Sequence, residues 1–559
     1  MISRELKKAR EYEAREGALV SAEERPAFHL SPLTGWLNDP NGFSFYGGRY
    51  HLFYQYHPYS SHWGPMHWGH AVSDDLISWE YLPCAMAPDE DYDGAGCFSG
   101  SAITLPDGRQ LLMYTGCSAQ DTDAIGRWRQ SQCIAVSSAP GSTDYVKYEG
   151  NPVITGRDLP EGGDSYEFRD PYIWQAGDGT YRAAVANARK GAGADESNEA
   201  PVVQTEHPKP RPDDLDLRGG TQICLYSSDD GFSWKRCGVL FEDSAKLGIM
   251  WECPNFFPLA DRSTPSGSAH VLIASPMDME LEDADGSIRF PKGNNVCYIV
   301  GDYEEETCTF TPRQSAAHER STRGAYAVYH PLDCGLDFYA PQVMQAPDGR
   351  TVMVGWMQDP SCSNLHSEED YRVFGQMTIP RELSLRNGRL IQRPVKEIES
   401  YREGRPVYAS IELDSETRSI DGISGRLLDL EIELSPGSWS DAGICSLEEF
   451  SIRFARDYDH YTELSYRPDS SVVTIDRSRS GQSEEMSGRR SIRVRERRGT
   501  ISLRMLLDRW SAEIFINGGE QVVSLTFRTP PEAKDITFSA DGSAIMDISA
   551  YKLRDINKE

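Results

Sequence analysis

Five times along this chain a polar turn closed by glycine launches a short apolar run. The copies are Gly47-Gly48-Arg49-Tyr50-His51-Leu52-Phe53-Tyr54, Asp107-Gly108-Arg109-Gln110-Leu111-Leu112-Met113-Tyr114, Asp178-Gly179-Thr180-Tyr181-Arg182-Ala183-Ala184-Val185, Ser266-Gly267-Ser268-Ala269-His270-Val271-Leu272-Ile273 and Asp348-Gly349-Arg350-Thr351-Val352-Met353-Val354. They recur roughly every 60 to 90 residues, the signature of one supersecondary unit repeated. Ser73-Asp74-Asp75 ahead of Trp79 and Ser228-Asp229-Asp230 ahead of Trp234 form a sparser second repeat after the first and third copies. One Asp-Gly turn is commonplace in a β protein. Five in order predict four-stranded units arranged as a five-bladed β-propeller. The segment before each turn is then the innermost strand of its blade: residues 38–45, 98–104, 168–174, 252–258 and 337–344. Chemistry placed at the starts of those strands converges on one axial funnel.

The texture outside the repeat divides the chain further. Residues 1–26 are charged, and Arg4-Glu5-Leu6-Lys7-Lys8-Ala9-Arg10-Glu11 reads as a surface helix. The propeller is expected over 27–394, broken by a proline- and acid-rich insertion at 191–220 that reads as a solvated loop, with a rim to the active site or an oligomer contact as its alternatives. After a linker at 395–405, alternating strands such as Ser491-Ile492-Arg493-Val494-Arg495 and the hairpin around Asn517-Gly518 predict a β-sandwich over 406–559. The fold class is therefore all-β, a propeller followed by a sandwich.

Three acidic segments stand at inner-strand starts: Trp36-Leu37-Asn38-Asp39-Pro40-Asn41-Gly42, Arg169-Asp170-Pro171 and Trp251-Glu252-Cys253-Pro254. Three separately delivered carboxylates are what cleavage of a glycosidic bond requires: one to attack or activate water, one to protonate the leaving oxygen, one to hold the ring. The apolar lead-in Trp36-Leu37 aims Asp39 inward, where Asn38 supplies a donor suited to a nucleophile. Trp251 and Cys253 flank Glu252, an apolar neighbourhood that raises a carboxyl's pKa and suits a general acid. Arg169 beside Asp170 keeps that carboxylate ionised for hydroxyl binding. Each segment also has a plain structural reading, as a tight turn, a half-buried Glu and a local ion pair.

The charge balance, 57 Lys and Arg against 86 Asp and Glu for a net −29, argues against nucleic acid or an anionic membrane surface as partners. A neutral small molecule meets no such penalty. No secretory leader and no run of 18 apolar residues is present, and the twelve cysteines form no CxxC pair, so the expected setting is cytoplasmic with reduced thiols. His57, His62, His67 and His70 cluster with Trp63 and Trp68, but without a recognised ligand spacing no metal is assigned, and Trp63 is read as a wall for an apolar sugar face. No phosphate-cradling glycine loop and no Gly-x-Ser-x-Gly elbow appears.

Together these motifs resemble glycoside hydrolase family 32, the β-fructofuranosidases. The resemblance rests on Trp36-Leu37-Asn38-Asp39-Pro40-Asn41-Gly42, Phe98-Ser99-Gly100-Ser101, Arg169-Asp170-Pro171 and Glu252-Cys253-Pro254, in the family order. Trp63-Gly64-Pro65, Asp337-Phe338-Tyr339-Ala340-Pro341-Gln342, Gly355-Trp356-Met357 and Pro380-Arg381-Glu382-Leu383 add to it. It implies a retaining double displacement on terminal fructosyl units of sucrose and short fructo-oligosaccharides, with no cofactor. Asp39 would be the nucleophile, Glu252 the acid and base, and Asp170 the transition-state stabiliser. The Asp39 and Glu252 carboxyls would lie about 5–5.5 Å apart. The family's pocket positions fall on Trp36, Asn38, Gln55, Trp63, Phe98, Ser99, Arg169 and Trp356. Asn255 departs from the acid common after Glu-Cys-Pro, and the 191–220 insertion has no counterpart. The alternatives are a sucrose-6-phosphate hydrolase, an inverting arabinan hydrolase, or a non-catalytic fructan-binding protein. A homo-oligomer is compatible with the chain.

Overall fold

The computed structural model describes residues 2–190, 219–243, 245–261, 267–283, 288–314, 327–360, 371–438, 445–481, 488–495 and 499–558. The 191–220 insertion therefore lies almost wholly outside the described residues. Five antiparallel sheets form the propeller expected from the repeat. Their first strands are Gly35–Tyr46, Gly96–Thr104, Gly163–Gln175, Trp251–Ala260 and Tyr339–Gln345, for blades I to V. Each lies against the first strand of the next blade, and the fifth lies against the first, so the five ring the axis. The ring is closed by a late segment: Val373–Phe374 pairs in parallel with Gly35 and Trp36 and so becomes an extra strand of blade I. This pairing covers the start of the inner edge of blade I at the join of first and last blades.

The sparser repeat has a physical basis in the turn that leads to the outermost strand. In blade I the Ser73 hydroxyl accepts from the Leu76 amide (2.8 Å) and Asp75 accepts from those of Ile77 and Ser78. In blade III Ser228 accepts from Gly231 (2.8 Å) and Asp230 from Phe232 and Ser233. The same side chains replace the same backbone partners in both blades.

The outer edge of blade I is covered by the helix Arg4–Gly17, capped by Ser3, whose hydroxyl accepts from Leu6 N at 3.1 Å. Leu6, Ala9 and Glu13 are buried at helical spacing. Glu13 accepts from the Cys84 amide (2.7 Å) and Arg10 donates to the Cys84 carbonyl (2.8 Å), which occupies backbone groups that an exposed edge strand would offer to another chain.

In the C-terminal domain one strand, Asp535–Leu553, serves both layers of the sandwich. Its first part pairs with Leu447–Arg456, and its second with Leu428–Pro436 and Arg402–Asp414. The change of layer falls at Gly542, whose φ of 84° lies in the region glycine adopts at no steric cost.

A buried polar junction joins the two domains. His29, ahead of blade I, sits between Asp508 (2.7 Å) and Glu513 (2.9 Å) of the sandwich. Glu513 also takes Arg381 Nε (2.9 Å) and the Ile379 amide (2.7 Å), and Arg381 reaches Asp333 (2.9 Å). Burial alone would push the His29 imidazole down, but the two carboxylates outweigh it and lift it to about 9. Protonated His29 therefore stabilises the fold fully below its ordinary value of 6.5, and that contribution is lost as pH rises through 9. Glu513→Ala is expected to cost about 3 kcal/mol at pH 7, because it takes from buried Arg381 and buried His29 one of the two carboxylates each is paired with and removes the acceptor of the buried Ile379 amide. Denaturant unfolding between pH 6.5 and 9 checks the linkage: wild-type stability should decline across this window, and His29→Gln should not show the decline.

Candidate active site

At the same height in every blade the inner strand breaks register with its neighbour. Asn38-Asp39 oppose the single residue Gln55, Asp170-Pro171 oppose Val185, Cys253-Pro254 oppose Ala274, and Ala340-Pro341 oppose Gly355; in blade II Ser99 is the inserted residue. These are β-bulges, which bend a strand and re-aim its side chains. Asp170, Cys253 and Ala340 hold φ of 63°, 49° and 46°, a left-handed backbone that a residue with a side chain adopts at a cost of about 1–3 kcal/mol. The proline that follows each of these has no N–H for the ladder to miss. In blade II the next residue must be Gly100, since a Cβ there would lie 1.9 Å from the Met113 carbonyl oxygen.

The bulges assemble the three carboxylates. Ser99 Oγ donates to Asp39 Oδ2 at 2.6 Å, and Asn38 Nδ2 to Asp39 Oδ1 at 3.1 Å. The Cys253 thiol reaches Asp39 Oδ2 at 3.4 Å, while the Cys253 amide donates to Asp170 Oδ2 at 3.0 Å. Cys253 thus bridges two of the acids and is the chain neighbour of the third. Arg169 donates to Glu252 Oε1 through Nε (3.1 Å) and Nη2 (3.0 Å). The Tyr339 hydroxyl lies 2.7 Å from Glu252 Oε2 and 3.0 Å from the Ser275 carbonyl, either of which can accept its one proton. Burial pushes Asp170 up to about 7; the nearby Glu252 and Asp39 charges add to the rise and Arg169 opposes it.

Two sequence expectations about polarity are corrected. Arg169 is not chiefly the partner of Asp170, whose Oδ2 is 3.9 Å from its Nε; its hydrogen bonds go to Glu252 and to Glu167. Glu252 does not sit in an aromatic pocket made by Trp251. Successive residues on a strand point to opposite faces, and Trp251 is buried between blades III and IV, against Phe241 and Tyr329.

The pocket positions separate into a wall and a floor. Trp63 and Phe98 are half-buried and meet edge to face, ring centroids 6.2 Å apart. Trp128, which the sequence reading missed, stacks on Trp63 at 6.4 Å and completes the wall. Trp36 and Trp356, expected to touch substrate, are instead only 1% and 3% exposed. Trp36 stacks on Phe374, meets Trp356 edge-on, and donates its indole N–H to Asn38 Oδ1 at 2.7 Å. Both tryptophans form the floor that fixes Asn38, because Trp36 and Asn38 share one face of the strand. Gln55 is buried and donates to the Cys97 carbonyl (3.0 Å), tying blade I to blade II. His67 and His70 lie on the strand His67–Ser73; His70 pairs with His51 (3.0 Å) and His67 with the Pro65 carbonyl (2.9 Å).

An alternating row of charges borders the wall. Arg127 binds Asp123 (2.7 Å) and Asp164 (2.9 Å) and lies 3.6 Å from Glu167, which in turn binds Arg169. Arg129 binds Asp121, Ser165 and Tyr166. Glu167 was legible in principle, being two residues from Arg169 and so on its face of the strand. Tyr339 came only with a quoted motif and no role.

A five-bladed propeller whose bulged inner strands gather three carboxylates at the axis, beside an aromatic wall, defines a glycosidase. Residues 29–196 and 216–394 match the family described as glycosyl hydrolases family 32 N-terminal domain, and 397–553 match its C-terminal counterpart. The chain belongs to glycosyl hydrolase family 32. It is 33% identical to a sucrose-6-phosphate hydrolase of Escherichia coli over 95% of this chain and 97% of the relative. It is 30% identical to a raffinose invertase of Escherichia coli, covering 93% of each. Among solved structures, a family 32 β-fructofuranosidase of Bombyx mori superposes with a TM-score of 0.74 at 29% identity, over 98% of both chains.

Proposed function

We propose that this enzyme releases terminal β-D-fructofuranosyl units from sucrose and short fructo-oligosaccharides by retaining double displacement. One observation carries the reading: equivalent bulges in blades I, III and IV gather Asp39, Asp170 and Glu252 around Cys253, which hydrogen-bonds to the first two and is the chain neighbour of the third. Asp39, oriented by Ser99 and Asn38, attacks the anomeric carbon C2 and forms a covalent fructosyl ester. Glu252, held by Arg169 and Tyr339, protonates the departing oxygen and then takes a proton from the water that cleaves the ester. Asp170, fixed by the Cys253 amide, accepts hydrogen bonds from fructosyl hydroxyls. Trp63, Phe98 and Trp128 face the apolar side of the sugar.

The leaving-group side favours a neutral sugar. Arg127 and Arg129, the cations flanking Trp128, are already committed to Asp123, Asp164 and Asp121, so a phosphate would have to displace a carboxylate to reach them. The setting we assign is cytoplasmic, where the buried Cys253 thiol beside Asp39 stays reduced. The test is kcat/KM for fructose release from sucrose, 1-kestose and sucrose-6-phosphate. The neutral sugars should lead. A tenfold preference for the phosphorylated sugar would overturn the neutral-aglycone assignment, and no release from any of the three would overturn the fructoside assignment itself.

A further inference from the structure

The seam between blades III and IV is tied at the axis by Arg169 and Glu252 (3.0 Å). Its outer end holds two cysteines for which the reaction has no use. Cys237 lies on Lys235–Glu242, the outermost strand of blade III, and its side chain is exposed. Cys308 precedes Thr309–Pro312, the outermost strand of blade IV, and is half-exposed. The two strands belong to different sheets yet pack against each other. Across that contact Cys308 lies within electrostatic range of the Cys237 thiol. Cys237 also reaches the Leu225 carbonyl (3.3 Å) and Cys308 the Glu305 carbonyl (3.6 Å), which holds both sulfurs at the seam. Most other cysteines described, Cys84, Cys97, Cys117, Cys133, Cys224 and Cys297 among them, are buried inside blades.

We propose that Cys237 and Cys308 are an oxidative modification site, forming a reversible inter-blade disulfide on reaction with a low-molecular-weight disulfide. One protein thiolate attacks the reagent disulfide, forms a mixed disulfide and expels one reagent thiolate. The second protein thiolate then attacks the protein sulfur of that mixed disulfide and expels the other. The two S–H protons pass to the released thiolates, so the protein loses two electrons and two protons and the reagent becomes two thiols. Burial pushes the Cys237 thiol up to about 11, with Cys308 adding to the rise and Arg182 opposing it. Exchange begun by Cys237 is therefore slow at neutral pH and accelerates as pH rises toward that value. Closing a loop of about 70 residues restricts the unfolded chain and raises the melting temperature.

The experiment treats the full chain with excess oxidised glutathione at pH 7 and pH 9, then blocks remaining thiols and maps peptides without reduction. The expected result is a Cys237–Cys308 cross-linked peptide, formed faster at pH 9. Intact mass should fall by two hydrogens, and the melting temperature should rise by a few degrees, reversed by dithiothreitol. C237S and C308S should each abolish the cross-link and the melting shift while keeping wild-type kcat/KM on sucrose. A stable glutathione adduct on either cysteine without the cross-link would overturn the proposal. So would the same melting shift in C237S, or no reaction where a denatured control is fully modified.

Discussion

Asp39→Asn is expected to lower kcat for fructose release from sucrose by a factor on the order of 10⁴ to 10⁶, with little change in melting temperature. Asn has the shape of Asp but cannot form the fructosyl ester, so the two-step route is closed. The fold should not register the change. Asp39 lies at a half-buried bulge, and Ser99 Oγ, which donates to Oδ2 at 2.6 Å, can donate equally to an amide oxygen. Removing a negative neighbour also relieves part of what raises Asp170, so the acid limb that Asp170 contributes to residual activity should move down from about 7. Steady-state kinetics across pH, with calorimetry beside them, checks both parts. Retention of more than about 1% of wild-type kcat would remove Asp39 from the role of nucleophile.

The expectation about Asp39 came from sequence, and it shows which kind of information sequence carries well. The five Gly turns declare the blades because each turn has to reverse a strand of fixed direction, and the Val and Leu runs after them have nowhere to go but a sheet. The acids could be placed at inner-strand starts for the same reason. What the sequence did not reveal is how a strand, whose residues alternate between faces, presents neighbouring residues to one funnel. The answer is the bulge. Its trace was present: Asp170-Pro171, Cys253-Pro254 and Ala340-Pro341 put an X-Pro step at one height in three blades, with Asp39-Pro40 one residue further along in blade I, and proline is tolerated within a sheet mainly at such breaks.

The misplaced residues fail for a different reason. Trp251 was assigned to Glu252 by adjacency, and Arg169 to Asp170 likewise, but adjacency along a strand is what separates two side chains. Arg169 and Glu252 come from different blades, 83 positions apart, and only closure of the ring brings them together. Trp128 is beyond local reading on the same grounds, since its partners Trp63 and Phe98 lie on a loop of blade I and on the first strand of blade II. Trp36 and Trp356 illustrate the converse. A tryptophan beside a reactive Asp invites a role against substrate, yet here burial converts both into the support under Asn38.

Glu252→Gln should lower kcat on sucrose by about 10²–10⁴, the range for loss of a positioned proton donor, and the size of the loss should depend on the leaving group. Sucrose must receive a proton on its departing oxygen, whereas β-D-fructofuranosyl fluoride departs without one. With the fluoride, attack by Asp39 should therefore proceed at a rate much closer to wild type, and the covalent ester should accumulate because no base remains to activate water. Azide, which needs no deprotonation to act as a nucleophile, should then restore turnover and yield a fructosyl azide of retained configuration. The network around Glu252 makes this variant a fair test. Gln keeps an acceptor for Arg169 and turns its NH2 to the Tyr339 oxygen, whose own proton can go to the Ser275 carbonyl, and Arg169 retains Glu167 as a charged partner, so no buried cation is stranded. A merely structural role for Glu252 would depress turnover of sucrose and of the fluoride equally and leave azide without effect. That pattern would return the proton donor to another group, and Tyr339, the other hydrogen-bonding group at Glu252 with a proton to give, would be the first to replace.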